Sequence, residues 1–166
     1  MKPDTVILES RNFRRTFLPL PPDPALGPNL LRVWSYWNEL KGDLPGPPRN
    51  AIDPADLTSC LPGLMLMQPE GTPQRFRHRL AGTAAESVHG RPLTRIYIDE
   101  MQPESFARSV HADLTRVVEE RTPQLARLSF ENREGKPRQF ESLRLPLSDD
   151  GERIDMILVY VRFRQG

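Results

Sequence analysis

The amino-acid sequence predicts an α+β domain built on an antiparallel sheet, and three observations carry that prediction. Three apolar-alternating runs close the chain: Gln124–Asn132, Arg138–Leu147 and Asp155–Arg164. Only the turns Arg133-Glu134-Gly135-Lys136 and Ser148-Asp149-Asp150-Gly151 separate them. Runs joined this tightly pair antiparallel, because a parallel pair needs a crossover of about a dozen residues. A second strand pair, Leu64–Gln68 and Arg75–Ala81, flanks the turn Glu70-Gly71-Thr72-Pro73. Helical patterns lie before and between these strand groups, completing the α+β order.

Each element has its own local signal. Residues 1–28 are polar and proline-dense (Pro19, Pro21, Pro22, Pro24, Pro28), and a poorly ordered tail is expected there. A helix then follows with Asn29 as its N-cap and Leu30, Val33, Trp34, Trp37 and Leu40 on one face; Gly42 ends it. Two tryptophans on one short stripe are a large apolar payload that must be covered. Val33, Trp34, Trp37 and Leu40 are therefore the candidate interface, either packing onto their own domain or building a homodimer.

Residues 42–50 read as a linker. Asp53-Pro54 reads as an N-cap with proline at the first helical position, opening a short helix that ends near Cys60. In the strand Arg75–Ala81, alternation puts Phe76, His78 and Leu80 on one face and Arg75, Arg77 and Arg79 on the other. A short helix from Thr83 to His89 stops at Gly90-Arg91-Pro92, and residues 93–101 form a connector. The longest central helix runs from Pro103 to Glu120 with Phe106, Val110, Leu114, Val117 and Val118 as its buried stripe. The organisation expected is a tail over 1–28, a helix and linker over 29–62, and a core over 63–166.

Bulk properties narrow the function classes. A chain of 166 residues with 37 % apolar content supports one small core with an appendage. Net charge is +1 with acids and bases interspersed, unlike the basic stripe of a nucleic-acid binder, so no nucleic-acid partner is expected. No apolar run approaches the roughly 18 residues of a membrane span, and no signal-peptide core is present. The single cysteine, Cys60, cannot form an internal disulfide or anchor a metal cluster, which fits a reducing cytoplasm.

The order strand, strand, short helix, connector, long helix and three strands resembles a PAS sensory domain. Specific residues sharpen the match: Trp34-x-x-Trp37, Ile52-Asp53-Pro54 followed by Leu61-Pro62, and Phe76-Arg77-His78-Arg79-Leu80-Ala81-Gly82-Thr83. Gly90-Arg91-Pro92-Leu93-Thr94 and Leu145-Pro146-Leu147-Ser148-Asp149-Asp150-Gly151 complete the series. Together they resemble the small single-domain PAS-like proteins of alphaproteobacteria. The resemblance implies a five-stranded antiparallel sheet that cups its helices around a small pocket. It also implies a sensory or protein-interaction module without catalysis, answering to a small-molecule ligand or to a histidine kinase or other signalling protein.

The pocket expected is lined by Phe76, His78, Leu80, Phe130 and Tyr160. The three histidines, His78, His89 and His111, lie too far apart in sequence for a clustered metal site. His111 sits at the edge of its helix stripe, so haem is not expected. The helix Thr83–His89 lacks the cysteine that flavin photochemistry requires. Ser87 and His89 lack a third orienting group. A cone-shaped α+β enzyme is the alternative, and it predicts an Asp–His pair in a polar cavity. The ladder Arg75, Arg77, Arg79 is expected to be solvated or paired with acids such as Glu131.

Overall fold

The computed structural model describes residues 7–163. Its strands are β1 (Arg11–Phe17), β2 (Leu64–Glu70), β3 (Arg75–Ala81), β4 (Gln124–Glu131), β5 (Pro137–Leu147) and β6 (Met156–Phe163). Its helices are α1 (Pro28–Lys41), α2 (Thr83–His89) and α3 (Glu104–Glu120), with a 3-10 segment at Pro54–Gly63. The strands form one sheet in the order β1-β4-β5-β6-β2-β3. Every pairing in it is antiparallel.

The sheet has six strands rather than the five expected, because the proline-dense start of the chain supplies β1. Residues 1–6 of the expected tail lie outside the described residues, as does Arg164 at the predicted end of β6. Within the rest, Ile7 is fully buried and its N–H donates to Val88 O at 2.8 Å. β1 then runs antiparallel to β4, with Arg15 opposite Leu128 and Phe17 opposite Ala126. The physical reason is the edge of β4: without a neighbour, one side of its backbone would have no ladder partner. Hydrogen bonding by the backbone asks little of side-chain hydrophobicity, so the strand carries no apolar alternation.

Alternation along the central strands builds two cores on opposite sheet faces. On the inner face Met65, Met67, Phe76, Leu128, Phe140, Ile157 and Val159 pack against Val88 of α2 and Phe106, Val110, Leu114 and Val117 of α3. On the outer face Leu66, Leu125, Leu143, Leu145, Leu158 and Tyr160 pack against Leu30, Val33 and Trp37 of α1 and Leu57 of the 3-10 segment.

The start of α1 differs from expectation. Pro28 opens the helix behind Gly27, and Asn29 lies inside the first turn. Asn29 Nδ2 donates to Ser59 O at 3.2 Å and Asn29 Oδ1 accepts from Ser59 Oγ at 3.0 Å, tying α1 to the 3-10 segment. Asp53 does cap that segment, its Oδ1 accepting from Ala55 N–H at 3.0 Å.

Candidate functional site

The five residues expected to line one pocket are divided between the two faces. Phe76, His78 and Phe130 are buried in the inner core, whereas Tyr160 belongs to the outer core under α1. Leu80 leaves the inner face altogether. Met67 pairs with His78 while Leu66 pairs with Leu80, so Arg79 is an extra residue on β3. This bulge breaks the period-2 alternation and turns Leu80 outward, leaving it 52 % exposed.

Among the described residues, the inner core holds a cavity of about 30 Å³. Its polar lining is His78, His89, Ser142 and Arg144, set among Met65, Met67 and other apolar side chains. Roughly 10–15 Å³ of such space admits one water, so the cavity suits one or two water molecules. Small-molecule sites usually run to roughly 300–1,000 Å³.

Both cavity histidines are held neutral. His78 Nδ1 lies 2.6 Å from Ile96 O, and a carbonyl only accepts, so Nδ1 carries the hydrogen. Burial lowers the His78 pKa against that hydrogen bond, which favours the charged form. Burial pulls His89 down to about 3, reinforced by His78 and Arg91. Among the described residues, His89 Nδ1 is buried without a hydrogen-bond partner, and neither ring bonds a carboxylate. The cone-fold alternative required an Asp–His pair, and the cavity does not supply it. Ser87 Oγ donates to Thr83 O at 2.9 Å, so it forms no nucleophile pair with His89.

Arg144 is the polar anchor of this interior, and the pattern reading missed it. Arg144 Nη1 donates to Asp113 Oδ2 and to Gln124 Oε1, both at 3.2 Å, and its Nε donates to Ser142 Oγ at 2.8 Å. Arg15 of β1 grips the same carboxylate with two bonds of 2.9 Å. Burial lowers the Arg144 pKa, and the Asp113 charge opposes that shift. Two signals pointed here. Asp113 falls three residues after Val110 and four before Val117, within the α3 stripe. Arg144 alternates with Phe140 and Ser142 on the inward side of β5. On the outer face, fully buried Glu141 accepts from Arg127 at 3.0 Å and from Arg162 at 2.8 Å.

Open surface features lie outside this packed interior. A groove of about 910 Å³ runs between the β2–β3 turn and α3. Its charged groups pair among themselves: Arg75 Nε and Nη2 donate to Asp99 at 2.7 Å, and Tyr97 Oη donates to Glu70 Oε1. His111 sits here, its Nε2 2.8 Å from Gln74 O and its ring edge-on to Phe76. Of the Arg ladder, Arg75 is paired with Asp99 and Arg77 with Glu70, while Arg79 donates to Gln68 Oε1; Glu131 lies across the sheet and accepts from Asn12. A second, apolar groove of about 270 Å³ opens between the 3-10 segment and β3.

The candidate interface residues are also placed. Val33 and Trp37 are buried against the chain's own sheet, and Trp37 Nε1 donates to Pro146 O at 2.8 Å. Trp34 is half-buried and stacks at a tilt on Trp37, while Leu40 is exposed. Among the described residues no group of three metal-ligating side chains converges, and no helix is long and apolar enough to cross a membrane.

A family model for the PAS domain matches residues 27–160. The chain belongs to the PAS domain family. The match begins after β1, so the matched part of this PAS domain contains five strands and β1 is added at the β4 edge. No curated protein matches the chain. Among solved structures, the PAS domain is similar to an RNA-binding Light-Oxygen-Voltage receptor. The TM-score is 0.45 and the identity 12 %, over 94 % of this chain and 39 % of that one. This PAS domain therefore spans about two fifths of that receptor's length.

Proposed function

We propose that this PAS domain is a cytoplasmic sensory and interaction module that acts by binding a signalling protein, such as a histidine kinase, and catalyses no reaction of its own. The observation that carries the reading is the contrast between a closed interior and an open exterior. An internal space of about 30 Å³ is small beside a haem or a flavin, and its histidines, neutral and without carboxylate partners, favour the non-catalytic reading. The apolar and charged surface between the 3-10 segment, β3 and α3 offers the larger recesses. A binding module transmits a signal when a partner has different affinities for two states of the domain. The buried Asp113 carboxylate, shared by α3, β1 and β5, supports coupling between those elements.

Native mass spectrometry of the protein purified from its own host, with an absorption spectrum of the same sample, tests this reading. A co-purifying polypeptide and a spectrum without a chromophore band are expected. A stoichiometric haem or flavin, or turnover of a metabolite by the purified protein, would refute it.

A further inference from the structure

An apolar slot outside the inner core carries an unanswered hydrogen-bond donor, and we infer that it binds an uncharged small molecule with an apolar chain and a carbonyl acceptor, such as a neutral acyl ester or amide. The site lies apart from the inner cavity, and its ligand goes beyond the interaction reading above. The slot is the groove of about 270 Å³ between the 3-10 segment and β3, close to the roughly 300 Å³ at which small-molecule sites begin. Its floor is the buried Leu57, Leu66 and Leu158, and its mouth carries Leu61 and Leu80, 39 % and 52 % exposed. The β3 bulge at Arg79 supplies Leu80: it takes this side chain from the inner core and sets it on the groove.

The walls make this a slot rather than an open patch. At one end the 3-10 segment rests directly on β3: Gly82 N–H donates to Leu64 O at 2.8 Å, and a Cβ on Gly82 would lie 2.3 Å from Leu61 O. The outer edge of β3 is occupied, because His78 N–H donates to Ile96 O at 2.9 Å and Arg95 N–H to His78 O at 2.7 Å. A peptide strand therefore finds no free backbone to pair with there. An α-helix, about 10–12 Å across with its side chains, is too large to enter a space of about 270 Å³. A flexible chain or a small ring meets neither obstacle and takes Leu61 and Leu80 out of water.

The polar lining selects the ligand's head group. Arg49 is the only charged residue lining the slot; it is half-buried, and among the described residues its guanidinium has no hydrogen-bond or ion-pair partner. A guanidinium only donates, so the group that answers it must accept, and Thr94 in the same lining can add a hydroxyl donor. The surrounding charges favour neither sign. On the Arg49 side, Asp53, Asp56 and Asp149 stand against Arg49 and Arg32, with Arg32 Nη2 donating to Asp56 O at 3.1 Å and Asp149 Oδ1 accepting from Arg49 N–H at 3.4 Å. On the β3 side, Arg79 and Arg95 stand against Glu86, which accepts from Leu93 N–H at 2.7 Å. Four cations against four carboxylates leave no net field to draw in an ion. A neutral carbonyl also sheds its water at less cost than a carboxylate does, so it is the acceptor that fits.

Isothermal titration of the full chain with methyl octanoate, octanoate and octylamine, which share an apolar chain and differ in head group, tests the inference. Saturable one-to-one binding of the ester is expected, at least about tenfold tighter than either charged probe. Leu80→Asp, checked for retained secondary structure, should weaken ester binding by at least about tenfold, whereas Leu44→Asp, at an exposed leucine outside the slot, should leave it unchanged. Arg49→Met keeps an apolar stem and removes the donor, and should weaken ester binding by about three- to tenfold. No saturable ester binding up to the solubility limit overturns the inference. So does octanoate or octylamine bound as tightly as the ester, or ester binding left unchanged by Leu80→Asp or by Arg49→Met. Ester binding that is lost in a folded Ser142→Ala variant and kept in Leu80→Asp would put the ligand in the inner cavity and overturn it as well. If the ester does not bind and Leu80→Asp releases a co-purified polypeptide, the slot is a protein contact: the ligand falls and the interaction reading stands.

Discussion

Arg144 brings a positive charge into the sheet–helix interior, and among the described residues Asp113 is the carboxylate that answers it. Removing one member of a buried pair leaves the other uncompensated, which costs about 3–5 kcal/mol. Asp113→Asn is therefore expected to lower the unfolding free energy by that amount in a urea titration. Arg15→Gln should cost less, about 1–2 kcal/mol, because Asp113 keeps Arg144 and only the charged hydrogen bonds from β1 are lost. Equal losses for the two variants would contradict the shared-carboxylate account. His89 supplies a pH signature. Its folded pKa is about 3 against an ordinary 6.5, so between these values the unfolded chain binds the extra proton. Stability from neutral His89 is complete above about pH 6.5 and falls with pH, at up to about 1.4 kcal/mol per unit. His89→Leu should match the native chain at pH 7 to within about 1 kcal/mol and exceed it at pH 5, since leucine has no proton to take up and no unpaired Nδ1 to bury. Parallel stability–pH curves for the two proteins over that range would show that His89 is not held neutral.

The elements show where one-dimensional pattern suffices and where pairing between strands decides. Strands β2 to β6 and all three helices follow from alternation, helical stripes and breakers such as Gly90, which sits in the left-handed region at φ 69°. β1 does not follow, because its stabilising partner is the backbone of β4 and its inward groups are only Phe13 and the cation Arg15. The exposure of Leu80 is hidden for a related reason: a bulge is a property of two strands in register, and nothing in the β3 run alone marks Arg79 as extra. Gly82 is the position where element packing can be tested. Its N–H donates to Leu64 O at 2.8 Å, and a Cβ there would lie 2.3 Å from Leu61 O and 2.4 Å from Pro62 O. Backbone cannot yield as a side-chain tip does, so Gly82→Ala must push the 3-10 segment away from β3. The expected cost is about 1–3 kcal/mol, read as a lower urea midpoint with an unchanged slope. A wild-type midpoint would mean that the segment floats over β3 instead of resting on it.

At the scale of the molecule, one sheet serves two cores, and this makes the layers interdependent. Each central strand sends alternate side chains to opposite faces: on β6, Val159 enters the inner core and Leu158 and Tyr160 the outer one. Separating α1 from the outer face would expose Trp37, Val33 and Leu30 and leave Pro146 O without its indole donor. It would also uncover the backs of strands that hold α3 on the other side. The PAS topology was legible because it depends only on element order. The closure of the pocket was not, because the volume left after packing depends on which of Met65, Met67, Phe106 and Arg144 fills the centre. Both tryptophans lie on α1, so intrinsic fluorescence reports the outer layer, while α2 and α3 add helical circular dichroism from the inner one. If the shared sheet couples the layers, the two signals give coincident denaturation curves, as a two-state domain requires. Trp37→Ala should then shift the dichroism curve as well, by about 3–5 kcal/mol for the loss of a buried tryptophan. Were α1 an independent flap, fluorescence would change at lower denaturant than dichroism, and Trp37→Ala would leave the dichroism midpoint where it was.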